Sequence, residues 1–387
     1  MRTRKKHRSK KKTSSVYILY TGGTIGMTYN KTMGLYPKNK LFNKLVRNLN
    51  IPHAINIKYK IESLSKIIDS SNIQSANWLE ILSMLKKNYA KYDSFIIIHG
   101  TDTLAYTASM LSFFCKDWTK TIVVTGSQIP MFEFRNDAVK NIRDSIIVSQ
   151  YKIPQVLIVF GDSVLRANCS TKYSSVSFNA FHSPNTVPLG VIGVNLNLNY
   201  TEIEKGNIPK NYFIKKSLPR TINISKWNNN INIIPITFTP GMLWKTKTES
   251  IFNSKLPNAI IFRSYGIGNA PSSSDDFINF LDMAYKNNIV IVNSTQCYTG
   301  GVNMTYYKTG KTLLKHNVID ARKMTFESIY TKLFYLFQVI DNKNTTLIRK
   351  LFRINIAGES PGENKYTTLK KKIKNINNHL FNQYQEI

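Results

Sequence analysis

Two threonine-rich loops, each directly after an apolar run, are the parts of this sequence most able to carry chemistry. The run VYILY leads into TGGTIG, which contains Thr24, and the run FIIIHG leads into TDTLAYT, which contains Thr101 and Asp102. Ligands of an open parallel sheet bind at the carboxyl ends of its strands, so both loops are predicted to face one crevice. A hydroxyl nucleophile with a second hydroxyl and a carboxylate beside it suits acyl transfer.

Two nucleotide-binding interpretations of the TGGTIG loop are excluded by its spacing, and helix capping is the alternative that remains for both loops. TGGTIG lacks the GxGxxG spacing of a dinucleotide fingerprint, and no GK[ST] follows as in a phosphate loop. Taken alone, Thr24, Thr101 and Asp102 could equally be caps of the helices that follow. The polar segment 27–37, with a glycine and two tyrosines, suits a hinged lid that excludes water, and this favours catalysis.

A hydroxyl nucleophile needs a neighbouring base. None of the six histidines is well placed by pattern, and His99, before a glycine at a strand end, is predicted to pack or to orient its loop. A desolvated lysine can serve instead. Lys120 and Lys172 both lie near strand-like runs, and composition does not choose between them.

Asp69, Ser70 and Ser71 stand together where a loop leads into a helix. They are predicted either to cap that helix or to form, with its amide groups, a small polar cradle for a carboxylate.

Short apolar runs alternate with helix-length stretches at 75–89, 103–114 and 136–150, which predicts βαβ units and a parallel sheet. The apolar runs are continuous, so burial on both faces is expected. The alternation of apolar runs and helix-length stretches is absent near 187–232 and then resumes, which predicts an α/β protein with two domains. The predicted parts are a basic disordered tail at 1–14, an N-terminal α/β domain at 15–190, a linker with an insertion at 191–232, a C-terminal α/β domain at 233–357 and a Lys/Asn-rich tail at 358–387.

The composition is that of a folded globular protein, with 42% hydrophobic residues in 387. Three cysteines without a CxxC pair favour a reducing compartment and neither a disulfide framework nor a metal site. The net charge of +31 accompanies a general excess of Lys and Asn, so a nucleic-acid partner is not predicted. No signal peptide or membrane-spanning run of about 20 apolar residues is evident, and a soluble cytoplasmic protein is predicted.

These residues together resemble the bacterial L-asparaginase family, in particular its cytoplasmic type I branch. The resemblance runs from about Val16 to Ala357. The matching pieces are YTGGTIGM, DSS, HGTDTLAYTAS, TGSQIP, the STK of LRANCSTK, FRSYGIGNAP and NSTQCYTGGVNM. The resemblance implies a larger flavodoxin-like N-terminal domain, a smaller C-terminal domain, a homodimer or homotetramer, L-asparagine as substrate, and no metal or other cofactor.

The resemblance also assigns roles. Thr24 matches the nucleophile, Thr101, Asp102 and Lys172 match the supporting triad, and the family's TK dipeptide selects Lys172 over Lys120. The matches to the substrate cradle are Asp69, Ser70 and Ser71, with Thr101 and Asp102 also contacting substrate, and backbone amides at Gly126 and Ser127 stabilising the oxyanion.

Two further features follow from the resemblance. The family's lid tyrosine directly follows the lid glycine, but here Leu35 follows Gly34, so Tyr36, or else Tyr29, is predicted to serve. Type I enzymes can carry an allosteric asparagine site, whose matching residues are Arg263, Thr295, Gln296, Cys297 and Thr171. The fork of an arginine suits a carboxylate.

Two alternatives to an asparaginase stay open. One is the amidohydrolase subunit of a tRNA-dependent amidotransferase, although such subunits carry an extra domain ahead of TGGT and about fifteen residues precede the strand here. The other is an asparagine-binding sensor weakened in catalysis by a degenerate lid. Thr24, Thr101, Asp102 and Lys172 are all present, which argues against the sensor.

Overall fold

A computed structural model describes residues 13–30, 32, 34–37, 57–206, 226–341 and 344–360, with the backbone alone at 30 and 34–37. Most of the predicted basic tail, most of the Lys/Asn-rich tail and part of the predicted insertion lie outside these residues.

Sixteen strands are present in the described part of the chain. They are β1 (Ser14–Gly22), β2 (Met27–Asn30), β3 (Gly34–Pro37), β4 (Ile57–Ile68), β5 (Ser94–Ile98), β6 (Ile122–Thr125), β7 (Val156–Phe160), β8 (Ser163–Arg166), β9 (Thr171–Lys172), β10 (Phe181–His182), β11 (Gly190–Ile192), β12 (Leu196–Leu198), β13 (Ile233–Thr237), β14 (Ala259–Ser264), β15 (Val290–Thr295) and β16 (Ile319–Asp320).

The α-helices of the same residues include all three that the sequence predicts near 75–89, 103–114 and 136–150. They are α1 (Ser75–Asn88), α2 (Leu104–Phe114), α3 (Ala138–Ser149), α4 (Tyr200–Glu204), α5 (Trp244–Phe252), α6 (Asp275–Lys286), α7 (Lys308–Lys315), α8 (Phe326–Val339) and α9 (Thr345–Phe352). Short 3-10 turns cover Thr24–Gly26, Ser70–Asn72 and Ala167–Cys169.

The larger sheet has the strand order β12-β11-β8-β7-β6-β5-β1-β4. Its half from β4 to β7 is parallel, and its half from β7 to β12 is antiparallel. Strands β11 and β12 and helix α4 fall within the predicted linker, so the larger sheet continues beyond residue 190. The smaller sheet has the order β13-β14-β15-β16 and is parallel throughout.

Strand β1 shows how the sequence builds these layers. Its residues 16–20 have no exposed surface, and alternate side chains enter different clusters because successive side chains of a strand point to opposite faces. Tyr17 and Leu19 pack with α1, α2 and α8, whereas Val16 and Ile18 pack with α3. Burial on both faces explains why the apolar run is continuous.

Helix α8 joins the two halves of the molecule. Its buried residues Ile329 and Leu333 belong to the same core cluster as Leu104 of α2 and Val292 of the smaller sheet. The opposite face of the smaller sheet is covered by α5 and α6, which bury Trp244, Phe277 and Phe280. The prediction of a two-domain α/β fold is therefore confirmed. Within the described ranges, every helix is too short or too polar to cross a bilayer.

Candidate active site

Four neighbouring parallel strands, β4, β1, β5 and β6, end at the same edge of the larger sheet. The chain passes from β1 to β4 on one side and then to β5 on the other, so β1 and β5 flank the topological switch point. Ligands bind at such a point in open α/β sheets. The structure thus brings together the strand-end segments singled out in the sequence, which contain Thr24, Asp69, Ser70, Ser71, Thr101, Asp102, Gly126 and Ser127.

Glycines let three of these loops approach one another closely. A Cβ atom on Gly23 would lie 2.2 Å from the Cα atom of Gly100, and Gly23 also has a φ of +88°. A Cβ atom on Gly100 would lie 2.5 Å from Oγ of Ser70. Larger residues do not fit at either position. Thr24 directly follows Gly23, and Thr101 directly follows Gly100. The close contact of the two glycines therefore brings the backbones of the two threonines near each other.

Lys172 reaches this point from a different part of the fold. It lies on the two-residue strand β9, outside both main sheets. Its Nζ atom donates to Oγ1 of Thr101 at 2.9 Å and to Oδ1 of Asp102 at 2.7 Å. Thr101 is buried, whereas the Asp102 side chain is 61% exposed, so the ion pair is open to solvent on the side of Asp102.

Lys120, the other lysine left open by the sequence, is not part of this group. Its Nζ atom donates to the carbonyl oxygen of Tyr92 at 2.6 Å and lies 4.4 Å from the centre of the Tyr89 ring. These contacts fasten the end of α1 to the start of β6.

A buried chain of hydrogen bonds fixes the loop after β5. Nδ1 of His99 lies 2.8 Å from the carbonyl oxygen of Gly100, which can only accept, so Nδ1 carries the proton. Nε2 then accepts from Oγ1 of Thr107 at 2.9 Å, and that oxygen accepts from Nε1 of Trp78 at 3.0 Å. Burial lowers the pKa of His99 to about 4. His99 is therefore neutral and orients its loop, as the sequence suggested.

Residues 69–71 form a cap, but of a 3-10 turn that precedes α1 and not of α1 itself, whose N-cap is Gln74, and their role as a cradle for a carboxylate stays a prediction. Oδ1 of Asp69 accepts from the backbone and the hydroxyl of Ser71, each at 3.0 Å, and so caps the 3-10 turn. The carbonyl oxygen of Ser70 accepts from Oγ1 of Thr103 at 2.7 Å, which ties the turn to the Thr101 loop. The cap holds three polar residues in place beside the crevice.

The loop after β6 is held by a buried carboxylate. Asp137 accepts from the backbone N–H groups of Gln128 and Ile129, and the hydroxyl of Ser127 donates to the carbonyl oxygen of Ile129 at 2.7 Å. The backbone N–H of Met131 donates to the carbonyl oxygen of Ile25, so this loop also contacts the Thr24 turn.

The predicted lid is a β-hairpin. Strands β2 and β3 pair antiparallel, with Thr28 opposite Tyr36 and Tyr29 opposite Leu35. Tyr29 is 68% exposed. The Tyr36 side chain lies outside the described part of the structure, so the choice between the two tyrosines stays a prediction.

The residues of the predicted allosteric site also lie near one another. Gln296 donates from Nε2 to the carbonyl oxygen of Arg263 at 2.8 Å, and the backbone N–H of Cys297 donates to Oγ1 of Thr295 at 3.0 Å. Thr171 joins them through Glu327, whose Oε1 accepts from Oγ1 of Thr171 at 2.6 Å.

Sequence reasoning missed Glu327. It follows Phe326 at the start of α8, where an acidic residue is unremarkable as a helix-end charge. In the structure it is buried, and burial raises the pKa of its carboxyl group, opposed by the hydrogen bond from Thr171 and the charge of Arg263.

Comparisons with known proteins show the family to which the chain belongs. The model for the N-terminal asparaginase domain matches residues 15–204, and that for the glutaminase/asparaginase C-terminal domain matches residues 235–352. L-asparaginase 1 of Escherichia coli K12 is 35% identical over 347 residues, which are 89% of this chain and 97% of that protein. The chain belongs to the asparaginase family, and the prediction of an amidohydrolase of the L-asparaginase class is confirmed.

Solved structures and a further relative extend the comparison. L-asparaginase I from Vibrio cholerae superposes with a TM-score of 0.74 at 31% identity, covering 89% of this chain and 98% of that one. The thermostable L-asparaginase from Thermococcus kodakarensis gives a TM-score of 0.77 at 26% identity, with the same coverage. A glutamyl-tRNA(Gln) amidotransferase subunit of Methanobrevibacter smithii is 28% identical, covering 89% of this chain and 76% of that protein.

Because Gly23 contacts Gly100, a side chain at position 23 should destabilise the fold through a steric clash, in addition to the strain of its positive φ. Gly23→Ala should lower the free energy of unfolding by at least about 2 kcal/mol more than Gly300→Ala. Gly300 is a matched control because its φ is +92° and nothing lies within 4 Å of its Cβ position. Urea unfolding of both variants measures the difference, and equal losses would contradict the close contact.

The neutral state of His99 predicts a loss of stability in acid. The pKa of His99 is about 4 in the fold, below the ordinary 6.5, so its contribution is complete above pH 6.5 and is lost as the pH falls toward 4. Between pH 7 and 4.5 the wild type should lose about 2–3 kcal/mol more than His99→Gln, which cannot titrate. Urea unfolding at both pH values tests this, and parallel losses in the two proteins would refute it.

Proposed function

We propose that this protein hydrolyses L-asparagine to L-aspartate and ammonia through an ester on Thr24. The observation that carries the proposal is the placement of Lys172 on both Thr101 and Asp102, beside the glycine contact from which Thr24 and Thr101 start. The relatives named L-asparaginase support the choice of substrate.

Each step of the reaction has a residue suited to it. The Thr24 hydroxyl oxygen attacks the side-chain amide carbon of asparagine, and backbone amides at Gly126 and Ser127 stabilise the negative oxygen that forms. The carbon–nitrogen bond then breaks and ammonia leaves with the proton taken from the hydroxyl. Water attacks the resulting ester, which releases aspartate and restores Thr24.

Lys172 and Asp102 act on the second hydroxyl. Nζ of Lys172 lies 2.9 Å from Oγ1 of Thr101, and as the free amine it accepts the hydroxyl proton of Thr101. The oxygen of Thr101 then takes the proton of the attacking hydroxyl or water, and in the first step this proton passes to the leaving ammonia. Asp102 holds the lysine in place and also binds the substrate's ammonium group, while the cradle at Asp69, Ser70 and Ser71 takes its α-carboxylate and α-amino groups.

Substitution of Thr24 and of Lys172 tests these roles. Thr24→Ala should lower kcat for ammonia release by at least about 10³-fold, with Thr24→Ser as the control that keeps a hydroxyl. Lys172→Met should lower kcat by about 10²–10⁴-fold. Hydroxylamine added during turnover should yield aspartyl hydroxamate from the wild type. Undiminished turnover by Thr24→Ala would refute the nucleophile assignment.

The same assay separates the alternatives. Tight binding of asparagine without ammonia release would favour a sensor. Copurification with tRNA and a second protein chain would favour an amidotransferase component, a possibility supported by the amidotransferase relative from Methanobrevibacter smithii. We further propose a homodimer or homotetramer and a cytoplasmic location, and light scattering in solution tests the first of these.

We also propose that asparagine binds as an effector at Arg263, Thr171 and residues 295–297. Nε of Arg263 is buried without a hydrogen-bond partner among the described residues, which leaves it available to a carboxylate. The initial rate should depend sigmoidally on asparagine concentration in the wild type and hyperbolically in Arg263→Ala. A hyperbolic curve in both would exclude an effector site.

A further inference from the structure

Residues 354–360, which follow helix α9, form a short segment bound to α8, here called the C-terminal clasp. Its last three residues belong to the predicted Lys/Asn-rich tail, yet Gly358, Glu359 and Ser360 are buried. Glu359 is 2% exposed, and it pairs with Lys332 of α8, whose side chain is also 2% exposed. A buried ion pair must be well hydrogen-bonded to offset the loss of hydration, so its surroundings decide what it does.

The ion pair organises the clasp. The carboxylate of Glu359 accepts from the backbone N–H groups of Ile356 at 3.0 Å and Ala357 at 2.7 Å. Lys332 donates to the carbonyl oxygen of Ile354 at 2.6 Å, and its Nζ atom lies 5.0 Å from the centre of the Phe352 ring. Both charges therefore bind the backbone of the same short segment and fold it against α8.

The clasp in turn holds the chain that leads to Lys172. Nδ2 of Asn168 donates to the carbonyl oxygen of Ala357 at 3.0 Å, and Sγ of Cys169 lies 3.6 Å from the carbonyl oxygen of Gly358. Asn168 and Cys169 belong to the 3-10 turn that ends three residues before Lys172. The neighbouring Thr171 is bound by Glu327, which lies on α8 as Lys332 does.

The strand that carries Lys172 needs such anchors. Strand β9 has two residues, and among the described strands it pairs only with the two-residue β10, so no ladder of hydrogen bonds to either main sheet fixes its position. The bonds from Lys172 to Thr101 and Asp102 require placement to within a fraction of an ångström, and an error of about 1 Å can lower a rate about 10²-fold.

We propose that Glu359 is a positioning residue for Lys172. The carboxylate shapes the clasp, the clasp holds the 3-10 turn through Asn168, and the turn sets where β9 places the lysine. The inference rests on the proposed function, because it takes Lys172 to support the Thr24 reaction.

Glu359→Gln in the full chain tests the proposal by two readouts. Ammonia release should show kcat lowered about 10- to 100-fold with KM changed less than about threefold, because no hydrogen bond among the described residues joins the cradle at 69–71 to the clasp. Hydrogen exchange followed by mass spectrometry should show faster exchange in peptides that span residues 167–173. A normal kcat with unchanged exchange would overturn the proposal.

Two further variants separate positioning from general loss of stability. Leu281→Ala removes a buried side chain in the core cluster on the far face of the smaller sheet, and it should lower the melting temperature while kcat and exchange at 167–173 stay as in the wild type. Asn168→Ala cuts the link itself and keeps the ion pair, so it should reproduce the kcat loss even if Glu359→Gln fails to fold.

Combining the variants gives the decisive comparison. If Glu359 acts through Asn168, the kcat losses of the two single variants should not multiply in the double variant. Independent, multiplying losses would overturn the proposed link. If the wild type releases no ammonia, the proposed function fails by itself, and exchange at 167–173 in Glu359→Gln and Asn168→Ala still decides whether the clasp holds the strand.

Discussion

The close approach of two glycine backbones is the constraint on which the candidate site depends. Strands β1 and β5 are parallel neighbours, so their loops leave the sheet side by side, and only residues without side chains let those loops touch at Gly23 and Gly100. This contact, rather than a hydrogen bond between the threonines, explains how Thr24 and Thr101 come to share one crevice. The capped turn at 70–72 closes on the same contact from β4.

Lys172 is connected to the rest of the fold by contacts of a different kind. The threonines follow long strands of the larger sheet, but Lys172 lies on a short strand, and side-chain hydrogen bonds join this strand and the turn before it to α8 and to the end of the C-terminal half. The larger domain therefore supplies every candidate catalytic residue without being sufficient to place all of them. In the proposed function, the C-terminal half therefore contributes to the positioning of Lys172.

The sequence predicted the parts of the fold that are determined locally. Continuous apolar runs predicted doubly buried strands, and helical spacing predicted α1, α2 and α3 nearly to their observed ends. The strand-end rule predicted that the loops of Thr24 and Thr101 face one crevice, whereas residues 69–71 were predicted only as a helix cap or a small polar cradle. Lys172 could not be chosen over Lys120 by pattern, because its position depends on long-range contacts, and only the family resemblance selected it.

The acidic residues are the sequence feature that would have pointed to further residues of the site. The chain has 53 basic and 22 acidic residues, so lysines carry little information and carboxylates carry more. The buried acidic residues among those described are Asp137, Glu327 and Glu359. Each accepts hydrogen bonds that hold a segment of the site: the loop after β6, the residue before Lys172 and the C-terminal clasp. A buried carboxylate is costly unless it is paired, so in a strongly basic chain its location marks backbone that must be held in place.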